Sequence, residues 1–127
     1  MFKNTKAFTG FSVNDIAAAK EFYGNTLGID VKEIPQGLEL HIAGGNHIFL
    51  YPKSNHIPAT YTTLNFIVED IDETMDEMLQ KGITFEKYEG MHQDEKGIAR
   101  GLAAKQGPDI AWFKDPAGNI LAILQDK

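Results

Sequence analysis

The chain contains no cysteine, which removes disulfide staples, thiolate metal centres and a cysteine nucleophile from any reading of its 127 residues. It also lacks any run approaching the roughly 20 apolar residues that a bilayer-spanning helix needs. The opening MFKNTKAFTG carries no apolar stretch of the signal-peptide kind, so a cytoplasmic protein without a membrane partner is expected. Positive charge is scarce: 12 Lys and Arg stand against 18 Asp and Glu, for a net charge of -6. The basic residues are scattered rather than clustered, which argues against a nucleic-acid partner and favours cationic ligands. No Gly-x-Ser-x-Gly elbow is present, and the glycine-rich GGN at Gly44 and GIARG after Lys96 lack the Gly-Lys-Ser/Thr ending of a phosphate loop.

What is present is ordinary globular composition, 43% hydrophobic and 24% charged, at a length that suits one domain over residues 1–127. Within it one unit occurs twice. FSVNDIAAAKEFYGNTLGIDVKE, from Phe11, aligns with FIVEDIDETMDEMLQKGITFEK, from Phe66, so that Val13 falls on Val68, Asp15 on Asp70, Ile16 on Ile71 and Gly28 on Gly82. The matches sit where elements start and stop. Ala7 to Val13 alternates as a strand, Asp15 caps a helix carrying Ile16, Ala19, Phe22 and Tyr23 on one face, and Gly28 ends it. IDVKEI, LELHIA and IFLYP supply three further strands, the last two joined across Gly44-Gly45. The second copy repeats the order with TTLNFIV, a helix capped by Asp70, then ITFEKYE, DIAWFKD and NILAILQ. DPAGN reads as the tight turn of the closing hairpin, with Pro116 fixing φ and Gly118 giving a permissive backbone. The expectation is an α+β fold of two β-α-β-β-β modules, at about 5–52 and about 61–126, joined by a connection at about 53–60.

Three stretches in order, VNDIAAAKEFYGNTLGI, VEDIDETMDEMLQKGI and FKDPAGNILAIL, resemble the vicinal oxygen chelate superfamily, which includes glyoxalase I, extradiol dioxygenases and bleomycin-resistance proteins. The resemblance implies paired modules whose mixed sheets curl into a cup, a small-molecule ligand in that cup, and a homodimer. In the family's metalloenzymes the first strand of each module carries one ligand, usually His, and the last strand a Glu. Seven residues before Asp15 and Asp70 stand Phe8 and Thr63; seven after Asp115 stands Ala122, and the matching position in the first module is Phe49. Two phenylalanines, a threonine and an alanine do not make a divalent-metal site, so neither a metal nor another cofactor is expected at the usual centre.

Strand alternation then defines the candidate ligand-binding residues: Phe8, His47, Phe49, Tyr51, Thr63, Asn65 and Ala122, with Trp112 as an aromatic wall. This lining suits a small apolar or aromatic, cationic ligand held without chemistry, in the manner the bleomycin-resistance branch implies. The rival is a glyoxalase-like lyase, isomerase or dioxygenase with relocated metal ligands such as His41, His47 or His92. Glu39 and His41 share a strand face, and His47 joins them only if the Gly44-Gly45 connection has an odd number of residues; the alternative is a solvent-facing polar strand. The long stretch GMHQDEKGIARGLAAKQGP, with Met91, His92 and Arg100, is read as a lid or as a solvated insertion.

Overall fold

The computed structural model describes residues 1–127 and divides the chain into two compact units, Met1–Pro58 and Ala59–Lys127, with the boundary inside the expected connection. In the first unit, β1 (Thr9–Val13) leads to α1 (Ile16–Lys20), which continues as a π-helical turn (Glu21–Thr26), then β2 (Asp30–Ile34), β3 (Gly37–His41) and β4 (His47–Pro52). In the second, β5 (Thr62–Ile67) is followed by α2 (Ile71–Gln80), β6 (Phe85–Glu86), β7 (Ala99–Arg100), the short α3 (Gly101–Ala104), β8 (Asp109–Lys114) and β9 (Ile120–Gln125). No helix is long and apolar enough to cross a membrane.

The repeat seen in the sequence is a repeat of topology. The first sheet runs β1-β4-β3-β2 and the second β5-β9-β8-β6, with β7 added against β8. In each, the opening strand lies parallel to the closing one and the remaining pairs are antiparallel. The punctuation residues act as expected: the Asp15 carboxylate accepts from the Ala18 N–H and that of Asp70 from the Glu73 N–H, both at 3.0 Å, satisfying amides that a first helical turn leaves without partners. Beyond the helices, Gly28 and Gly82 take φ of 73° and 86°, the left-handed geometry that stops a helix.

α1 and α2 each cover one face of their own sheet. In the first unit Val13, Ala19, Tyr23, Leu38, Leu40, Ile48 and Leu50 are buried; in the second, Leu64, Ile71, Met75, Met78, Ala111, Phe113, Leu121 and Ile123. Two details depart from the sequence reading. The first helix widens, the Leu27 N–H bonding the Phe22 carbonyl five residues back, and within it the Phe22 and Tyr23 rings lie edge to face with centroids 5.2 Å apart. ITFEKYE yields only the two residues of β6, because the Gln93 side chain accepts from the Tyr88 N–H at 2.7 Å and donates to the Glu86 carbonyl at 2.9 Å, taking the place of a continued ladder.

One close approach fixes how β1 lies on β4. A Cβ built on Gly10 would stand 2.6 Å from the Phe49 carbonyl oxygen, a distance real side chains do not adopt. Gly10→Ala is therefore expected to pry the two strands apart and to destabilise the first unit by about 1–3 kcal/mol, the range for overpacking. A urea titration would check this; a midpoint equal to that of the wild type would show that the strands yield freely at this point.

Candidate functional site

The hairpin between β3 and β4 decides the open face of the first sheet. Its connection, Ile42 to Asn46, has five residues, and the register sets His41 opposite His47 and Glu39 opposite Phe49. Directly opposed residues share a face, so Glu39, His41, His47 and Phe49 all stand on the side away from α1, while Leu38, Leu40, Ile48 and Leu50 are buried on the helix side. Parallel pairing adds Gly10 opposite Phe49 and Ser12 opposite Tyr51. Just before β1, Phe8 meets Phe49 edge to face with centroids 6.2 Å apart, and Tyr51 stacks on Phe49 at 5.5 Å.

A cavity of about 420 Å³ opens here, lined by Phe8, Ile34, Gln36, Glu39, His47 and Phe49. Three of these were expected ligand-binding residues; Ile34, Gln36 and Glu39 were not among them. Ile34 and Gln36 arrive through the two-residue turn Pro35-Gln36, which pairs Ile34 with Gly37 and so brings the end of β2 onto the same face. A hairpin register read from Pro35 would have pointed to Ile34. At the cavity's edge the Glu39 carboxylate lies 3.1 Å from His41 Nε2 and 3.8 Å from His47 Nδ1, and the two imidazoles stack at 3.9 Å with planes 17° apart. The odd-numbered connection thus brings together all three of the residues whose convergence the sequence left open. His56 is elsewhere, its Nδ1 2.6 Å from the Ser12 hydroxyl.

The remaining expected residues belong to the second unit. Asn65 is exposed and stands opposite Ala122, which is fully buried and also faces Trp112 across the β8–β9 ladder. Trp112 is buried and meets Tyr88 edge to face at 5.7 Å. The Tyr88 hydroxyl is buried without a partner, and desolvation, with the neighbouring Glu86 charge, pushes this phenol above its ordinary pKa. Thr63 sits where the β5–β9 register shifts, its hydroxyl donating to the Ile120 carbonyl at 3.1 Å.

The stretch read as a lid has a fastened base. The Arg100 guanidinium donates to both oxygens of Asp72 at 2.8 and 2.9 Å, to Asp94 at 3.0 Å and to Asp109 at 3.4 Å. Lys96 adds a bond to Asp72 at 3.0 Å. The hydrogen bonds from Arg100 and then Lys96 hold the Asp72 carboxyl well below the usual range, and the same bond to Asp72 raises Arg100. Burial pushes Asp94 up, but hydrogen bonds from the Ile98 N–H, Arg100 and the Lys96 N–H outweigh it and leave this carboxyl lowered. Arg100 is therefore an anchor within this stretch, whereas Met91 and His92 are exposed, with His92 in the left-handed region at φ 49°.

The positions at which the resemblance implies a metal do not fit one. Phe8, Phe49 and Ala122 offer no donor atom, and the Thr63 hydroxyl is engaged with a backbone carbonyl. No catalytic step through that centre follows from these residues.

Comparison with known proteins agrees with this architecture. A family model described as the Glyoxalase/Bleomycin resistance protein/Dioxygenase superfamily matches residues 7–123. No curated protein matches the sequence. Among solved structures, a member of that superfamily from Sphaerobacter thermophilus is similar at 23% identity with a TM-score of 0.68, covering 96% of this chain and 98% of its own. A virulence protein from Salmonella typhimurium is 24% identical with a TM-score of 0.67 over 100% of both chains. An antibiotic binding protein from a Streptomyces is 20% identical with a TM-score of 0.65 over 98% of both.

Proposed function

The chain belongs to the Glyoxalase/Bleomycin resistance protein/Dioxygenase superfamily, and on that premise we propose that it binds a small apolar or aromatic ligand on the open face of its first sheet and holds it without a metal at the family's positions. The observation that carries this reading is the cavity of about 420 Å³, whose lining combines Phe8, Ile34 and Phe49 with the polar ends of Gln36, Glu39 and His47. That size and mixture suit a small organic molecule, with apolar walls for affinity and a few polar groups for orientation. Glu39 is the lining's carboxylate, and the net charge of -6 adds to the preference for a cationic aromatic compound. The antibiotic binding protein among the similar structures supports a binding role for this scaffold, although one scaffold hosts many activities and the ligand has to be argued from the site.

A thermal-shift screen of aromatic cations, run in chelator and followed by calorimetric titration of the hits, would test the proposal. Saturable binding is expected, and Phe49→Ala should weaken it about tenfold, since burying an aromatic ring contributes about 1.5–3 kcal/mol and 1.4 kcal/mol is one decade. If Phe49→Ala and Phe8→Ala both bind the hits as the wild type does, the cavity is not the site.

A further inference from the structure

We propose that Glu39, His41 and His47 form a binding site for a borderline divalent cation, of which Zn²⁺ is the type, at the edge of the first unit's cavity. The three residues each offer one ligand atom, and these atoms lie within 4.8 Å of one another. Two imidazole nitrogens and one carboxylate oxygen suit zinc, nickel or copper, and not calcium or magnesium, which take all-oxygen shells. The site is distinct from the positions at which the family's metalloenzymes hold their ion, since all three ligands come from the β3–β4 hairpin. It also does not rest on the ligand reading above, because the cation needs none of the apolar walls.

Local structure brings the donors together. The five-residue connection pairs His41 with His47 across the hairpin, and Glu39 stands two residues before His41 on the same face. The contact of 3.1 Å between Glu39 Oε1 and His41 Nε2 already orients one carboxylate oxygen toward one ring nitrogen, and His47 Nδ1 lies 3.8 Å from that same oxygen. A tetrahedral zinc ion with bonds of about 2.0–2.1 Å needs donors about 3.3 Å apart. Closing the remaining gap requires His41 Nε2 to give up its hydrogen bond to Glu39 and the side chains to rotate. The rings are stacked face to face, so an ion held by lone pairs in both ring planes must unstack them. His47, half exposed, has the room to turn. Glu39 and His47 both line the cavity, so the site lies at its edge. The geometry assigns the nitrogens as well: His41 would bind through Nε2 and His47 through Nδ1, leaving the proton on the opposite nitrogen of each ring.

The test is calorimetric titration of the chelator-stripped full chain with zinc chloride, in the absence of any organic ligand, together with long-range ¹H–¹⁵N spectra of the imidazoles. One ion per chain is expected, with the two rings settling into opposite tautomers, Nδ1–H for His41 and Nε2–H for His47. His41→Ala and His47→Ala should each weaken binding about 100-fold and Glu39→Gln about tenfold, while His92→Ala leaves it unchanged. Both histidines are accessible to solvent, and circular dichroism of each variant confirms that the hairpin is intact. Absence of saturable binding in the wild type overturns the proposal, as does an affinity that survives both histidine substitutions, or imidazole spectra that do not change on adding zinc. Aromatic-cation binding in chelator is measured separately, so failure of one proposal is not failure of the other.

Discussion

Asp115→Ala is expected to lower the stability of the protein by about 3 kcal/mol, which for a chain of this length is a fall in melting temperature of roughly 10 °C. The side chain is 5% exposed and organises the whole DPAGN turn. One carboxylate oxygen accepts from the backbone N–H groups of Ala117 and Asn119, both at 2.9 Å, and the other accepts from the Asn119 side-chain amide at 3.0 Å. The backbone closes around it, with the Asp115 N–H bonding the Asn119 carbonyl and the Gly118 N–H bonding the Asp115 carbonyl. Alanine keeps the backbone bonds but takes away the carboxylate that the Asn119 N–H and side-chain amide bond, on a residue 2% exposed; each such loss costs about 1–3 kcal/mol. Asp115→Asn, which retains one acceptor oxygen, should recover part of the loss. A scanning calorimetry trace for Asp115→Ala within about 2 °C of the wild type would mean that Pro116 and Gly118 hold the turn without the carboxylate.

Replacing Arg100 by Ala should free the connection between β6 and β8. The guanidinium ties together Asp72 at the start of α2, Asp94 in the connection and Asp109 at the start of β8, and its removal leaves Asp94 and Asp109 without this cation and Asp72 with Lys96. Asp72 is 47% exposed, so solvent screening discounts that pair heavily; Asp109, at 12%, is the costly one to leave without its cation. A local loss of about 2 kcal/mol is expected, read as a roughly 30-fold drop in hydrogen-exchange protection. Two amides report it directly: that of Ile98, which donates to Asp94, and that of Leu102, which donates to Asp109. Arg100→Lys should fail to restore them, because a single ammonium does not reproduce the two-pronged contact with Asp72.

The same network has a pH signature. Asp72 and Asp94 have folded pKa values below the ordinary carboxylate value of about 3.9, so the stability they add is complete above that range and is lost as pH falls through the lowered folded values. Protection at Ile98, whose amide bonds Asp94, should therefore decline on acidification in the wild type and show a flatter acid limb in Arg100→Ala. Identical acid profiles would show that the carboxylates are not held down by the guanidinium.

Local chemistry was readable from the sequence where it acts within a few residues. Asp15 and Asp70 announce helix starts, Gly28 and Gly82 announce stops, and DPAGN announces a hairpin, because each acts on its own backbone. Pairing across strands was readable only in part. Whether His47 faces Glu39 and His41 depends on the parity of one loop, which composition does not fix, and Ile34 joins the cavity through the Pro35-Gln36 turn, whose register the strand alternation did not use. The Arg100 network was unreadable for a different reason: its partners lie at sequence separations of 28, 6 and 9 residues, set by the fold and by no periodicity. Likewise nothing in ITFEKYE tells that a glutamine side chain will end the strand after Glu86.

The parallel pairing of β1 with β4 and of β5 with β9 has a consequence for how the chain is made. Each unit's opening strand finds its only ladder partner at the unit's far end, Thr9 beside Ile48 and Thr62 beside Ile120. On a ribosome, β1 waits unpaired until β4 has emerged, and β5 waits through nearly the whole second unit for β9. The first unit can close while the second is still being synthesised, whereas the second cannot close until its final strand is free of the exit tunnel. Such distant closures are slow and leave strand edges open in the meantime, so the interval between the synthesis of β5 and of β9 is when this protein is most exposed to pairing with the wrong strand.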